Sequence, residues 1–261
     1  MTRQLKFTLL IGLLLLSLSG MAQSSKVMKV LWIGNSFSFY NEMPNMVQDI
    51  AATQNVKLKI TRFLKGGERF SGHLTNEKLI EALQDGGWDY VILQGYSSTP
   101  AYSTRSVIEN VYPYAHTLDS LAKAHSPLVK VIYYMTWGHK DGNVRQTSYP
   151  LDDTYDMMQE RLKTSYLEMA HENDSWCAPV GMAWQELRHQ YPDFELYQKD
   201  NFHPSVMGSY LAANVLFTTI YQKYYKTYYT AKLPTWQANL IQRLAQETVL
   251  NNLKLLNIRK L

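Results

Sequence analysis

Five short apolar runs rich in β-branched and aromatic residues recur along the chain: Val27 to Ile33, Val56 to Thr61, Tyr90 to Leu93, Val129 to Met135 and Trp176 to Val180. Longer helical patterns separate most of them. Neighbouring parallel strands need a crossover connection, and a helix is its usual filling, so this alternation restricts the chain to an α/β architecture with a parallel sheet. The intervening stripes support that reading. Val107, Val111, Tyr114, Leu118 and Leu121 step by four and three residues, as do Tyr155, Met158, Leu162, Tyr166 and Met169, each giving one apolar helical face to cover the sheet. Pro113 interrupts the first stripe and implies a late start or a bend there. Two further helices read from Ser205 through Val206, Tyr210, Ala213, Phe217 and Ile220, and from about Trp236 through Leu240 and Leu244. No internal repeat is visible.

Strands this apolar are buried on both faces, which leaves function to the loops at their C-terminal ends. Chemistry-bearing residues fall there. Gly34-Asn35-Ser36 follows the first strand, Gly66-Gly67 the second, Gln94-Gly95 the third and Trp137-Gly138-His139 the fourth, while Asp200-Asn201-Phe202-His203-Pro204 precedes a late helix. A serine hydroxyl is a poor nucleophile by itself. Acyl transfer needs an imidazole to take its proton and an acid to fix that imidazole's tautomer. Asp200 and His203, separated by two residues, suit a short loop that turns the carboxylate back to Nδ1 and leaves Nε2 for Ser36. Pro204 restricts His203 to extended geometry and suits the opening of the next helix. Each element also has a structural reading: Ser36 or Ser38 as a helix cap, Gly66-Gly67 as a plain turn, Asp200 as a solvated turn residue.

Taken together and in this order, Gly34-Asn35-Ser36 and Asp200-x-x-His203 resemble the motifs of the SGNH/GDSL-type hydrolases, in particular divergent secreted bacterial members. The resemblance spans nearly the whole mature chain. It implies a three-layer α/β/α, flavodoxin-like fold with a central parallel sheet, and hydrolysis of carboxylic esters through an acyl-serine intermediate, with no metal or organic cofactor. It further implies Ser36, Asp200 and His203 as the catalytic residues. The oxyanion would be bound by the N–H of Ser36 and by Gly66 or Gly67. Where that family has Gly-x-Asn-Asp, this chain has Gln94-Gly95-Tyr96-Ser97-Ser98, so Gln94 is the expected third oxyanion donor, with Ser97 or Ser98 as neighbours able to do so less well. Trp137 and His139 are candidates for contact with substrate. Many secreted members are carbohydrate O-acetyl esterases, and others act on lipids or thioesters.

The N-terminus fits export. Arg3 and Lys6 precede an apolar run, Phe7 to Leu18, that is short for a bilayer span, and Ser19-Gly20-Met21-Ala22 offers a cleavage site. Residues 1–22 are therefore expected as a cleaved signal peptide and 23–261 as one domain, since no linker-like stretch divides them. No cysteine stands where lipid acylation would require one, so a periplasmic or secreted protein without a stable membrane anchor is expected. The single Cys177 lies in an apolar run and is expected to be a buried inert thiol. The formal net charge is +4 with lysines dispersed, which argues against a nucleic-acid partner; the resemblance implies a small-molecule or polysaccharide ester as the partner. His73, His139, Asp200 and His203 lack any metal-ligand spacing. Two other classes compete: a catalytically inactive glycan-binding protein, and a phosphate or flavin binder using the Ser36 loop. The absence of glycine between Asn35 and Tyr40 counts against the latter. The tyrosine-rich stretch Tyr221 to Tyr229 reads as the end of the preceding helix and is assigned no role.

Overall fold

The computed structural model describes residues 26–143 and 153–260, so the expected signal peptide, 1–22, lies outside the described residues. In chain order the elements are β1 (Val27–Gly34), α1 (Ser36–Phe39), α2 (Met43–Thr53), β2 (Lys57–Leu64), α3 (Phe70–His73), α4 (Glu77–Asp85), β3 (Tyr90–Leu93), α5 (Thr104–Asn110), α6 (Tyr112–His125), β4 (Lys130–Tyr134), α7 (Tyr155–Glu172), β5 (Trp176–Ala178), α8 (Val180–Gln190), α9 (Val206–Tyr221) and α10 (Thr235–Leu250). All five strands pair in parallel in the order β2-β1-β3-β4-β5. This is the flavodoxin-like order of an open, doubly wound sheet. α9 packs against both α2 and α10 on one side, and α6 against both α4 and α7 on the other, giving the three layers.

The sheet's centre is apolar because it is covered twice. Val30 to Ile33, Val91 to Leu93 and Val131 to Tyr134 are all buried. The β2 edge is covered less, and Lys57 and Lys59 stand exposed along it, which discourages pairing with another chain. Every residue of α9 from Gly208 to Ile220 is buried, since it lies between the sheet and α10, so its sequence carries no charged face, and the Asn214, Thr218 and Thr219 side chains bond to backbone carbonyls of the preceding turn. Among the described residues no helix is long and apolar enough to cross a membrane. Cys177 is buried in β5, where loss of solvation pushes its thiol well above the ordinary value.

Several expected boundaries shift, for identifiable reasons. The fifth strand stops at Ala178, because Pro179 cannot extend the ladder and Val180 opens α8. The stripe around Pro113 belongs to two helices, broken at Val111 (φ −124°, ψ −58°), with Pro113 in the first turn of α6 where its missing N–H does no harm. The buried stripe nevertheless continues at helical spacing through Val107, Val111, Ala115, Leu118 and Ala122. Ala115, Leu118, Asp119 and Ala122 face inward, and Tyr114 is exposed. Likewise Val206 and Trp236 lie outside the buried faces assigned to them. In α10 the buried residues are Ala238, Ile241, Gln242, Leu244, Ala245, Gln246 and Val249, which keep the expected Leu244.

Candidate active site

The order of strands reverses between β1 and β3, and a crevice opens at the C-terminal ends of such a sheet. Ser36 sits at that place, in the first turn of α1 directly after β1. The turn is held by Asn35, which is buried and touches three loops at once. Its Oδ1 accepts the N–H of Phe37 at 3.1 Å, and its Nδ2 donates to the carbonyls of Glu68 at 3.1 Å and Gly95 at 3.2 Å. One side chain thus caps α1 and ties the loops after β2 and β3 to it. Gly34 has to be glycine here, since a Cβ would stand 2.7 Å from Gln94 Oε1 and 2.8 Å from Ser38 Oγ.

The Asp200–His203 loop arrives from the other end of the chain and is fixed by its own turn. Asp200 Oδ1 accepts the N–H groups of Phe202 at 3.1 Å and His203 at 2.9 Å, an Asx-type turn, and Asn201 takes the left-handed conformation (φ 65°) that asparagine tolerates. Asp200 Oδ2 lies 2.6 Å from His203 Nδ1, and Ser36 Oγ lies 2.9 Å from His203 Nε2. A carboxylate against Nδ1 requires the ring proton there. Nε2 then accepts the Ser36 hydroxyl proton. Burial alone would raise the Asp200 carboxyl, but hydrogen bonds from the His203 ring and from the His203 and Phe202 amides outweigh it and hold the carboxyl below its ordinary value. The expected helix starts beyond Pro204, with Ser205 as its cap accepting the Gly208 amide at 3.1 Å.

Two further side chains clamp the loop. Trp137 donates its indole N–H to the Phe202 carbonyl at 3.0 Å, and its ring lies stacked between Phe37 at 4.6 Å and Trp184 at 4.0 Å. Asn41 Nδ2 reaches the Pro204 carbonyl at 3.0 Å and Ser209 Oγ at 2.8 Å, joining the segment after Ser36 directly to the segment after His203. Asn41 and Glu42 both have positive φ, so the chain turns sharply to make that contact.

The Lys65-Gly66-Gly67-Glu68 turn faces Ser36 across an open cleft of about 510 Å³, lined by Ser36, Phe39, Tyr40, Asn41, Gly66, Gly67 and His203. The Glu68 N–H donates to the Lys65 carbonyl at 3.1 Å, and Gly67 at φ 70° supplies the left-handed residue that a type II turn demands at its third position. Among the described residues no acceptor takes the amides of Gly66 and Gly67. The Ser36 amide stands at the first helical position, where no intrahelical acceptor exists.

Two sequence expectations need correction. Gln94 is 0 % exposed, and both ends of its amide are engaged within the protein. Its Oε1 accepts the Asn35 N–H and the Ser38 hydroxyl, each at 2.8 Å, and its Nε2 donates to the Gly95 carbonyl. It holds the turn that carries Ser36 instead of facing the cleft. Trp137 is also 0 % exposed and braces the histidine loop, so it is not a substrate contact. His139 lies behind Phe202, its ring centroid 5.4 Å away, outside the cleft that contains Ser36. Sequence reasoning missed Tyr40, whose ring stacks on His203 at 4.2 Å and 14°, and Asn41. The run Phe39-Tyr40-Asn41 just after Ser36 was the available signal for both. His73 is buried, with Nε2 3.0 Å from the Gly34 carbonyl, and loss of solvation lowers its basicity, so it braces β1 as a neutral ring. Among the described residues no group of three or more His, Cys, Asp or Glu side chains is placed to hold a metal ion.

Known proteins share this arrangement of chain. A family described as "Domain of unknown function (DUF4886)" matches residues 74–248, which include Asp200 and His203 but begin after Ser36. A DUF4886 family protein from Bacteroides uniformis superposes with a TM-score of 0.69 at 18 % identity, covering 86 % of this chain and 95 % of that one. A proposed SGNH hydrolase from Slackia heliotrinireducens superposes at 0.60 with 28 % identity, over 75 % of this chain and 100 % of its own. An acetylxylan esterase from Geobacillus stearothermophilus superposes at 0.52 with 18 % identity, over 74 % and 94 %. No curated protein matches the sequence.

Proposed function

The chain belongs to the DUF4886 family and has the SGNH/GDSL hydrolase fold, and we propose that it is a serine esterase acting through an acyl-enzyme on Ser36. The observation that carries this reading is the continuous hydrogen-bonded path from Asp200 through His203 to a Ser36 hydroxyl that opens on a cleft. His203 takes the Ser36 proton as the oxygen attacks the ester carbonyl, and Asp200 stabilises the imidazolium that forms. The Ser36 amide and one of the Gly66 or Gly67 amides receive the oxyanion. His203 then gives its proton to the leaving alcohol and activates a water for deacylation. Gln94 and Asn35 contribute by fixing the turn on which Ser36 and its amide are carried. Loss of one oxyanion donor in such a site costs on the order of a hundredfold in turnover.

The substrate we assign is an O-acetyl ester of a carbohydrate. An open cleft walled by Phe39 and Tyr40 suits a short acyl group on a sugar, and an acetylxylan esterase shares the fold. The expected signal peptide, with 23–261 as a single exported domain, would put the protein among periplasmic or extracellular glycans. Hydrolysis of p-nitrophenyl esters of increasing acyl length, together with acetate release from acetylated polysaccharides, tests this with Ser36→Ala as control. Acetate should be the preferred acyl group. Octanoate cleaved far faster than acetate would turn the assignment to a lipase or thioesterase of the same fold. Acetate release undiminished in Ser36→Ala would remove the acyl-serine mechanism.

A further inference from the structure

The tyrosine-rich stretch after α9 is not the tail of that helix. The helix ends at Tyr221 with Gln222 in the left-handed conformation, and the chain from Tyr224 to Tyr228 then alternates exposed, buried, exposed, buried, exposed. Tyr225 and Thr227 point inward, while Tyr224, Lys226 and Tyr228 form an outward row, as the pleat of an extended segment requires. Tyr224 is 62 % and Tyr228 is 87 % exposed.

The backbone of this row is held rigid although it pairs with no strand. Gln246 takes the Tyr225 N–H on its Oε1 at 3.1 Å and returns its Nε2 to the Tyr225 carbonyl at 3.0 Å. Gln242 repeats the pattern at Thr227, at 3.4 and 3.3 Å, and Gln54 of α2 donates to the Lys226 carbonyl at 2.7 Å. Tyr225 anchors the underside through its hydroxyl to Asn214 Oδ1 at 2.9 Å. Between this row and the outer face of α10 lies a concavity of about 950 Å³, to which Asn239 and Arg243 contribute. Among the described residues no acidic side chain lines it, and no carboxylate pairs with Lys226 or Arg243. It shares no residue with the Ser36 cleft.

We propose that Tyr224, Lys226, Tyr228, Asn239 and Arg243 form a second binding site, separate from Ser36, for a polysaccharide chain bearing uronic acids. Exposed tyrosine rings offer apolar faces for the C–H faces of sugar rings, and the backbone that carries them is already fixed before binding. The amide of Asn239 meets hydroxyls, and the two unpaired cations meet carboxylates. Nucleic acid is the less suitable occupant, since it presents a closely spaced row of phosphates and this site offers only two cations to neutralise them.

The test is native affinity electrophoresis of the full chain carrying Ser36→Ala, so that binding is read without any contribution from ester hydrolysis. Polygalacturonate, alginate and hyaluronan are the anionic probes, with neutral hydroxyethylcellulose and oligodeoxythymidylate for comparison. At least one anionic polysaccharide should retard the protein. Tyr224→Ala/Tyr228→Ala, which leaves the charge unchanged, should weaken that retardation by roughly tenfold in dissociation constant. Lys226→Gln/Arg243→Gln should weaken it and abolish the preference over the neutral polymer. Both pairs are at the surface, and an unchanged Tm would show that each variant folds. No retardation by any of the three anionic polymers overturns the proposal. So does retardation that survives the tyrosine changes, or equal binding of the neutral polymer or of oligodeoxythymidylate.

Discussion

Replacing Asp200 by asparagine tests the triad with little disturbance of the fold. The asparagine Oδ1 keeps both backbone contacts of the turn, the amides of Phe202 and His203 at 3.1 and 2.9 Å. The other arm, which lies 2.6 Å from His203 Nδ1 as a carboxylate oxygen, becomes an NH₂ group. It donates, so Nδ1 has to accept, and the ring proton moves to Nε2. That proton then points at Ser36 Oγ, 2.9 Å away, and the ring has no lone pair with which to deprotonate the hydroxyl. The imidazolium also loses its counter-charge. In a site of this geometry the combined loss is about 10⁴-fold in kcat, roughly 5.5 kcal/mol of activation free energy. The assay is steady-state hydrolysis of p-nitrophenyl acetate near neutral pH, with KM read separately, because Asp200 is not among the residues lining the Ser36 cleft. Asp200→Asn retaining kcat within about tenfold of the parent would refute the reasoning, since the carboxylate would then not be setting the tautomer.

Further outcomes follow from the same geometry. Gln94→Leu removes the acceptor of the buried Asn35 N–H and Ser38 hydroxyl, so unfolding in urea should show a loss of about 1–3 kcal/mol, and kcat should fall as the Ser36 turn loosens. Gly67→Ala forces a side chain into φ 70°, which costs about 1–2 kcal/mol if the turn is kept; kcat should drop more than KM rises as the turn's amides move away from the oxyanion. Folding lowers the Asp200 carboxyl, so this group's contribution to stability is fully present above its unfolded value and is lost as pH falls through the folded one. The stability difference between the parent and Asp200→Asn, measured by chemical denaturation, should therefore shrink below about pH 4. A difference that grew as pH fell would contradict the sign.

What the sequence reveals is what depends on periodicity and on short motifs. Val30 to Ile33, Tyr90 to Leu93 and the Tyr155–Met169 stripe are legible because a run of adjacent apolar residues, or one repeated at helical spacing, carries its own signal. Ser36, Asp200 and His203 are legible as types in an order, and the structure brings these three side chains into contact. The rest is decided by neighbours distant in sequence. A glutamine at a strand end is equally suited to bonding an oxyanion or the adjoining loop, and only the approach of Asn35 and Ser38 directs Gln94 to the loop. Trp137 at the rim reads as a candidate substrate contact until Phe37 and Trp184 are found covering both of its faces. Tyr114 and Trp236 fit apolar stripes in the sequence, yet both are exposed, and the buried positions near them are Ala115 and Ala238. The row from Tyr224 to Tyr228 hides its period of two, because its inward positions are a tyrosine and a threonine and its outward ones are mostly tyrosine.

The central claim is that Ser36 is a nucleophile activated by His203. Incubation with a fluorophosphonate, followed by peptide mapping by mass spectrometry, reads it directly. A single phosphonyl adduct on the peptide containing Ser36, at a rate greatly reduced in His203→Ala, is the predicted result. An unlabelled protein, a label on another residue, or labelling of Ser36 at the same rate without His203 would contradict it.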